Sequence, residues 1–319
     1  MIEVEIKTIY THPSMISSNS SNSARDPLSD VLDVLGASVT RRTRLEAAGR
    51  WALAFPALDR LKFVALLRGS CWIVVPGHEP QLLAAGDVCL IGRTGYVVAS
   101  APELPPTDGQ AFYANGRDLA RLGGDDTIGI GGTVTLAAAN ADFLLDRLPQ
   151  FMIVPRVSPA CETIATILSL VGRELGRDTI GSQIVSARLA DVLVVQAIRA
   201  YAEHAGHTAM GWLGALADPR LGRALRAMHD DVAQPWTVAR LASVAGMSRA
   251  AFAAAFTRQM GQPALAYLRA WRLTIARAAL LRGDAPVGVV ASRVGYTSQS
   301  AFAQAFRRAF GAPPRRRRA

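Results

Sequence analysis

The sequence predicts an α+β multidomain fold. An N-terminal antiparallel β-barrel with flanking helices leads into an all-α C-terminal domain with two helix-turn-helix units. Three observations carry this. Short β-prone runs recur about every ten residues between positions 37 and 136, with Gly-bearing turns between them. Helical periodicity takes over from residue 140. An internal repeat occupies the C-terminal segment.

Taken in order, residues 1–25 are polar, and Ser17 to Ser23 is almost wholly Ser and Asn, the composition of a disordered tail. From Asp26, the residues Leu28, Val31, Leu32 and Leu35 fall at helical spacing. The barrel domain is set at 26–139. Its predicted strands are Trp51–Phe55, Phe63–Leu67, Cys71–Val75, Gln81–Leu83, Val88–Ile91, Tyr96–Ala99, Gln110–Tyr113 and Thr133–Leu136. Residues 140–207 read as a helical segment with three apolar stripes: Leu144, Leu145, Leu148 and Phe151; Ile164, Ile167, Leu168 and Val171; Leu189, Val192, Leu193 and Ala197. Residues 208–219 read as a linker, 220–314 as helices with short breaks, and 315–319 as a basic tail.

Charge divides the chain. The net charge is +10, yet Asp218 to Ala319 holds 17 Arg, no Lys and 4 Asp, a net +13, and residues 1–217 carry a net −3. A basic segment on a nearly neutral body calls for a polyanion, either nucleic acid or an anionic membrane surface. No apolar run approaches the length of a spanning helix. The first residues are acidic where a secretory signal needs basic ones, so none is expected. Three cysteines, Cys71, Cys89 and Cys161, make neither a disulfide framework nor a four-Cys zinc site, and a reducing cytoplasm suits them.

The repeat is the most specific feature. Val238, Leu241, Ala242 and Ala245 match Val287, Val290, Ala291 and Val294 at an offset of 49. After Gly246 and Gly295 the offset becomes 50, and Phe252, Phe256, Gly261 and Pro263 match Phe302, Phe306, Gly311 and Pro313. Each copy reads as a short amphipathic helix ended by a glycine, then a second helix capped by Ser248 or Ser298. The phenylalanines of the second helix face the core, leaving its other face for a major groove. Ala264 to Arg282 reads as one connecting helix. Its nineteen residues span about 28 Å at 1.5 Å per residue. That approaches the turn of DNA, about 34 Å, that separates successive major grooves.

At Pro219 to Pro314 the chain resembles the AraC/XylS family of bacterial transcription regulators. The motifs are Pro235-Trp-Thr-Val-Ala-Arg-Leu-Ala242, Gly246-Met-Ser-Arg249, the Phe252/Phe256 pair, Leu265 to Leu273, Val294-Gly-Tyr with Ser298, Ala301-Phe302, Phe306-Arg-Arg308 and Pro313-Pro314. The N-terminal part is similar to the cupin-type sensor domain of one branch of that family, at Asp26 to Leu32, Leu66 to Trp72 and Leu82 to Val88. The resemblance implies a promoter-binding regulator, most often an activator, acting through two helix-turn-helix units. It implies double-stranded DNA and RNA polymerase as partners, a small-molecule effector in the barrel, and a homodimer formed through residues 140–207. Arg249, Ala250, Ala253 and Ala254 of the first unit, and Gln299, Ser300, Ala303 and Gln304 of the second, take the base-facing positions. Ser248, Thr257, Arg258, Ser298, Arg307 and Arg308 take phosphate positions, and Arg249 also reaches the backbone.

Two departures from the family pattern stand out. Metal cupins use several His and a carboxylate, yet His78 is the lone His between residues 37 and 136. No metal, cofactor or catalytic residue is therefore expected, which disfavours a metal-dependent cupin enzyme with a fused helical domain. The first recognition helix presents alanines, which touch thymine methyls but make no paired hydrogen bonds. An effector-independent DNA-binding protein remains the other alternative. Cys71 and Cys89 read as buried thiols or as a redox pair, and His204 and His207 as flanking a loop, in a solvated turn rather than a metal site. Trp51, Phe55, Phe63, Trp72, Tyr96 and Phe112 fit a core or an effector pocket equally, so no effector contact is assigned.

Overall fold

The structure, a computed structural model, describes residues 26–137, 141–154, 161–175, 179–205 and 211–315. Helix α1 (Pro27–Val34) opens it, with the Asp26 carboxylate accepting from the Ser29 N–H and Leu28 and Val31 buried. The strands that follow are β1 (Ser38–Ala47), β2 (Ala52–Phe55), β3 (Leu61–Arg68), β4 (Ser70–Val74), β5 (Gln81–Ala84), β6 (Val88–Ile91) and β7 (Tyr96–Ala99). Next come β8 (Thr107–Asp108), α2 (Gly109–Phe112), β9 (Leu119–Leu122), β10 (Thr127–Thr135), α3 (Ala141–Leu145) and β11 (Phe151–Val154).

These strands form two sheets, ordered β11-β6-β3-β10-β1-β9 and β5-β4-β7-β2-β8. The expected closed antiparallel barrel is corrected on two counts. Among the described residues each sheet keeps its own edge strands, so the domain is a two-sheet sandwich. Two pairings, β1 with β9 and β2 with β8, are parallel. Evenly spaced short runs establish how many strands there are, but closure depends on pairings that spacing does not encode.

Strand β3 shows how the layers are built. Leu61, Phe63 and Ala65 point to one face and Lys62, Val64 and Leu66 to the other, as the period of two requires. The first set joins Val88, Leu90, Ile130, Val134 and Met152 under α1, α4 (Cys161–Leu175) and α5 (Ser182–Ala205). The second set faces the other sheet, across Leu53, Cys71, Ile73 and Val98. Gly132 lets the sheet pass Phe63, because a Cβ there would lie 2.3 Å from the ring.

Three other expectations are corrected. Gln110–Tyr113 is not a strand: Gly109–Phe112 is a helical turn, capped by the Asp108 carboxylate on the Gln110 N–H. Phe151 is not in a helical stripe, because α3 stops at Leu145 and Phe151–Val154 pairs with β6 as an edge strand. The first sheet therefore extends past residue 139. Residues 211–217 are not a linker but helix α6 (Gly211–Ala217), with Trp212, Leu213 and Ala215 buried.

The C-terminal helices are α7 (Pro219–Asp230), α8 (Val238–Ala245), α9 (Arg249–Met260), α10 (Ala264–Arg282), α11 (Val287–Arg293) and α12 (Gln299–Phe310). The core under the first sheet continues without a break through α6, α7, α8, α9 and the first half of α10. The α11–α12 pair has its own smaller core of Leu273, Leu280, Val290, Ala291, Phe302 and Phe306.

Candidate nucleic-acid interface, domain junction and internal cavity

The two helix pairs share one turn chemistry. Gly246 is left-handed at φ +66°, its N–H donating to Ser243 O, while the Met247 N–H donates to Ala242 O. Gly295, at φ +83°, repeats the pattern with Ser292 O and, through the Tyr296 N–H, Ala291 O. Both are glycine-terminated helix ends that return orphan carbonyls to partners. The Ser248 hydroxyl accepts from the Ala251 N–H at 3.2 Å, and that of Ser298 from the Ala301 N–H at 3.3 Å. The extra residue in the second turn is Thr297, between Tyr296 and the cap.

With Phe252 and Phe256 buried, Arg249, Ala250, Ala253, Ala254, Thr257 and Arg258 of α9 are exposed. With Phe302 and Phe306 buried, α12 exposes Gln299, Ser300, Gln304, Arg307 and Arg308, while Ala303 is half-buried. Ser300 shares a 2.8 Å hydrogen bond with Ser298, and the Gln299 amide leans over Gly288 of α11. Among the described residues no carboxylate lies within 4.0 Å of Arg249, Arg258, Arg307 or Arg308. The domain's aspartates sit elsewhere: Asp218 caps α7, Asp230 and Asp231 end it, and Asp284 pairs with Arg282. Arg315 is exposed, and Arg316 to Arg318 lie outside the described residues.

Other arginines of this segment are structural, which the charge count did not reveal. Arg223 donates to Val244 O and Ala245 O, closing the end of α8. Arg272 of α10 donates to Val232 O and Gln234 O, each at 2.7 Å. Gly295 packs against the same loop, where a Cβ would meet Ala233 O at 2.6 Å. Arg277 lies 4.3 Å over the Phe310 ring. The second unit is thereby tied both to α10 and to the loop before the first unit.

Sequence reasoning missed the junction between the β-domain and the first helix pair. Tyr267 of α10 accepts a hydrogen bond from Trp212 Nε1 at 3.1 Å and lies 2.8 Å from His229 Nε2. The Tyr267 oxygen thus joins both partners, and His229 Nδ1 lies 3.4 Å from the Asp30 carboxylate of α1. His229 stacks on Trp271 at 4.7 Å, Trp271 meets Phe143 of α3 at 5.1 Å, and Arg147 lies 4.0 Å over Phe143. Nearby, Arg93 engages Asp59, Asp142 and Asp146 together. These residues lie far apart in sequence and follow no motif.

A cavity of about 350 Å³ lies between the sheets, lined by Leu45, Phe55, Lys62, Val64, Tyr96 and Tyr113 among others. Of the six aromatic candidates only Phe55 and Tyr96 reach it; Phe63 lies in the core on the other face. Cys71 and Cys89 are buried, and burial pushes the Cys71 thiol up to about 12 and the Cys89 thiol upward as well. That favours the inert reading of both over a redox pair. His78 sits in the turn after β4, its ring edge-on to Phe151. His204 is exposed near the end of α5, and His207 lies outside the described residues. Among the described residues no helix is long and apolar enough to cross a membrane.

A two-sheet domain fused to paired, glycine-terminated helices defines a DNA-binding regulator. Residues 26–203 match a family model described as Cupin, and residues 241–319 one described as a helix-turn-helix domain. An AraC-like transcription regulator of Streptomyces lividans is 40% identical over 293 residues, covering 91% of this chain and 96% of that one. The regulator AlkR of Acinetobacter baylyi is 29% identical over 302 residues, covering 91% and 98%. ToxT of Vibrio cholerae, in its fatty-acid-bound crystal structure, covers 87% of this chain and 93% of its own at 12% identity, with a TM-score of only 0.35. The chain belongs to the AraC-like transcription regulators that carry an N-terminal cupin domain.

Proposed function

We propose that the chain reads double-stranded promoter DNA through two helix-turn-helix units, α8–α9 and α11–α12, set on successive major grooves of one duplex face. The observation that carries this is the pair of capped, exposed helix faces joined by the nineteen-residue α10, about 28 Å long. Arg249, Ala250, Ala253 and Ala254 face bases in the first unit, and Gln299, Ser300, Ala303 and Gln304 in the second. Ser248, Thr257, Arg258, Ser298, Arg307 and Arg308 hold phosphates. Arg249 sits at the start of α9, within reach of either bases or backbone.

The cavity supports a sensor role, with a small-molecule effector shifting the population of DNA-competent chains. The continuous core from the first sheet to α9 supports a direct mechanical link, since packed interiors transmit displacement. Exposed Ile184, Val185 and Val192 on α5 support a homodimer through residues 140–207. RNA polymerase is the downstream partner, the cytoplasm the compartment, and the chain is not an enzyme. The domains act as a sensor over 26–139, a dimerisation segment over 140–207 and a DNA reader over 220–314.

Selection of binding sites from a random duplex pool with the full chain tests the reading. Two preferred segments about ten base pairs apart, with affinity falling steeply as salt rises, are expected. Binding to single strands alone would refute it.

A further inference from the structure

The chain uses arginine at 33 of its 35 basic positions; its two lysines are Lys7 and Lys62. Lys62 is the only lysine among the described residues, and it is 5% exposed, in the wall of the cavity between the sheets. Its alternation with Val64 and Leu66 on β3 sends it inward. Its Nζ donates to Pro56 O at 2.9 Å and reaches Thr94 O at 3.5 Å, and it lies 4.8 Å from the centre of the Tyr96 ring. Among the described residues no carboxylate lies within 4.0 Å of it. The other cation lining the cavity, Arg41, is already engaged by Tyr113 O, Arg117 O and Asp118. A buried ammonium held by two carbonyls and a ring face, with no carboxylate beside it, is costly, and an anion entering the cavity reduces that cost.

We propose that the cavity takes a small apolar or aromatic molecule carrying one carboxylate, its acid group on the Lys62 ammonium and its body among Phe55, Tyr96 and Tyr113. This rests on the sensor reading above and adds the chemical class of the effector. The volume sets the size. At about 350 Å³ it lies near the lower end of the range of small-molecule sites, about 300–1,000 Å³, and admits a compact molecule such as a phenylpropenoic acid. Phe55 and Tyr96 stack at 5.0 Å, with Tyr113 6.3 Å from Phe55, giving flat apolar walls. A lysine suits this better than an arginine, because a compact point charge leaves room that a planar fork would fill.

The charge on Lys62 gives the reading a pH signature. Burial lowers its pKa to about 8. The titratable groups facing the cavity are Tyr96 of β7, pushed far above its ordinary value by burial, Tyr113 after α2, pushed up to about 12, and Cys71 of β4, pushed up to about 12. Between pH 7 and 9 Lys62 alone changes state among these groups, while a carboxylic acid ligand stays ionised. Acid affinity therefore falls as pH rises through about 8.

The test measures binding to the full chain by calorimetry, using three acid and alcohol pairs of matched shape: benzoate with benzyl alcohol, 3-phenylpropenoate with its alcohol, and octanoate with octanol. The expected result is that at least one acid binds tenfold or more tightly than its alcohol at pH 7. That preference shrinks by pH 9 and is lost in Lys62→Met, while alcohol binding persists in the variant. Alcohols binding as well as acids in every pair would overturn the acid class and leave the sensor cavity standing. So would an acid preference that survives Lys62→Met or is flat in pH. Binding of neither member of any pair would overturn the sensor reading and the acid class with it. The pH series on the unaltered chain decides the matter should Lys62→Met fold poorly.

Discussion

Replacing Tyr267 with Phe removes one oxygen from the junction, and the structure states what that oxygen does. It accepts from Trp212 Nε1 and serves His229 Nε2, and these partners are 1% and 8% exposed. Without it two buried polar atoms lose their partner, each worth about 1–3 kcal/mol. His229 Nε2 is left without a partner whichever ring nitrogen carries the proton, so the sum for the two atoms lies at about 2–6 kcal/mol. Helix α10 shares its core with the first sheet, so the loss falls on a large cooperative unit. At about 2–4 °C per kcal/mol for a unit of that size, the midpoint drops by about 4–24 °C. Urea and thermal unfolding, followed by tryptophan fluorescence, measure it, and Trp212 and Trp271 report from the junction itself. A loss below about 0.5 kcal/mol would show that the hydroxyl links are not the ones drawn, and that the junction is held by apolar packing alone.

Four other outcomes follow. Gln304→Ala relaxes preference at one or two base pairs of the second half-site with little effect on non-specific affinity, because a paired amide contact to adenine carries about 1–3 kcal/mol of discrimination. Arg307→Ala weakens binding to all duplexes alike and lowers the salt slope by about one unit, as a lost phosphate contact requires. Gly295→Ala combines a left-handed backbone with a 2.6 Å approach to Ala233 O; it reduces DNA affinity by loosening the second unit, with the first sheet's unfolding midpoint unchanged. Iodoacetamide at neutral pH labels half-exposed Cys161 in the folded chain and spares buried Cys71 and Cys89, which peptide mass spectrometry reads directly.

The C-terminal domain was legible because its signals are local. Glycine at a helix end, serine at a cap and phenylalanine every fourth residue are chain-neighbour chemistry. Helix α10 accordingly spans Ala264–Arg282 as its pattern predicts. The β-domain was legible only in part. Val88–Ile91 and Tyr96–Ala99 stand at their expected bounds, since turns flank them on both sides. Strand β1 was missed because Ser38–Ala47 is rich in Arg and Thr and lacks alternation: its exposed and half-buried positions cluster at Thr40–Arg44. Phe151 follows an apolar helical stripe, and only its pairing partner β6, some sixty residues earlier, marks it as a strand. The candidate site divides the same way. The exposed faces of α9 and α12 follow from helix periodicity. The Trp212–Tyr267–His229–Asp30 chain and the seat of Lys62 depend on contacts between distant segments, for which one sequence holds no signal.

We propose that α9 and α12 read one duplex unequally, with the second unit supplying most hydrogen-bonded recognition. The α9 face presents alanine methyls, whereas α12 presents Gln299, Ser300 and Gln304. A saturation-mutagenesis binding profile over both half-sites, at fixed salt and with the full chain, tests it most directly. The account predicts two half-sites about ten base pairs apart, with the steeper base preference under α12 and a shallow, thymine-leaning one under α9. A profile in which the α9 half-site is the more selective, or in which only one half-site contributes, would contradict it.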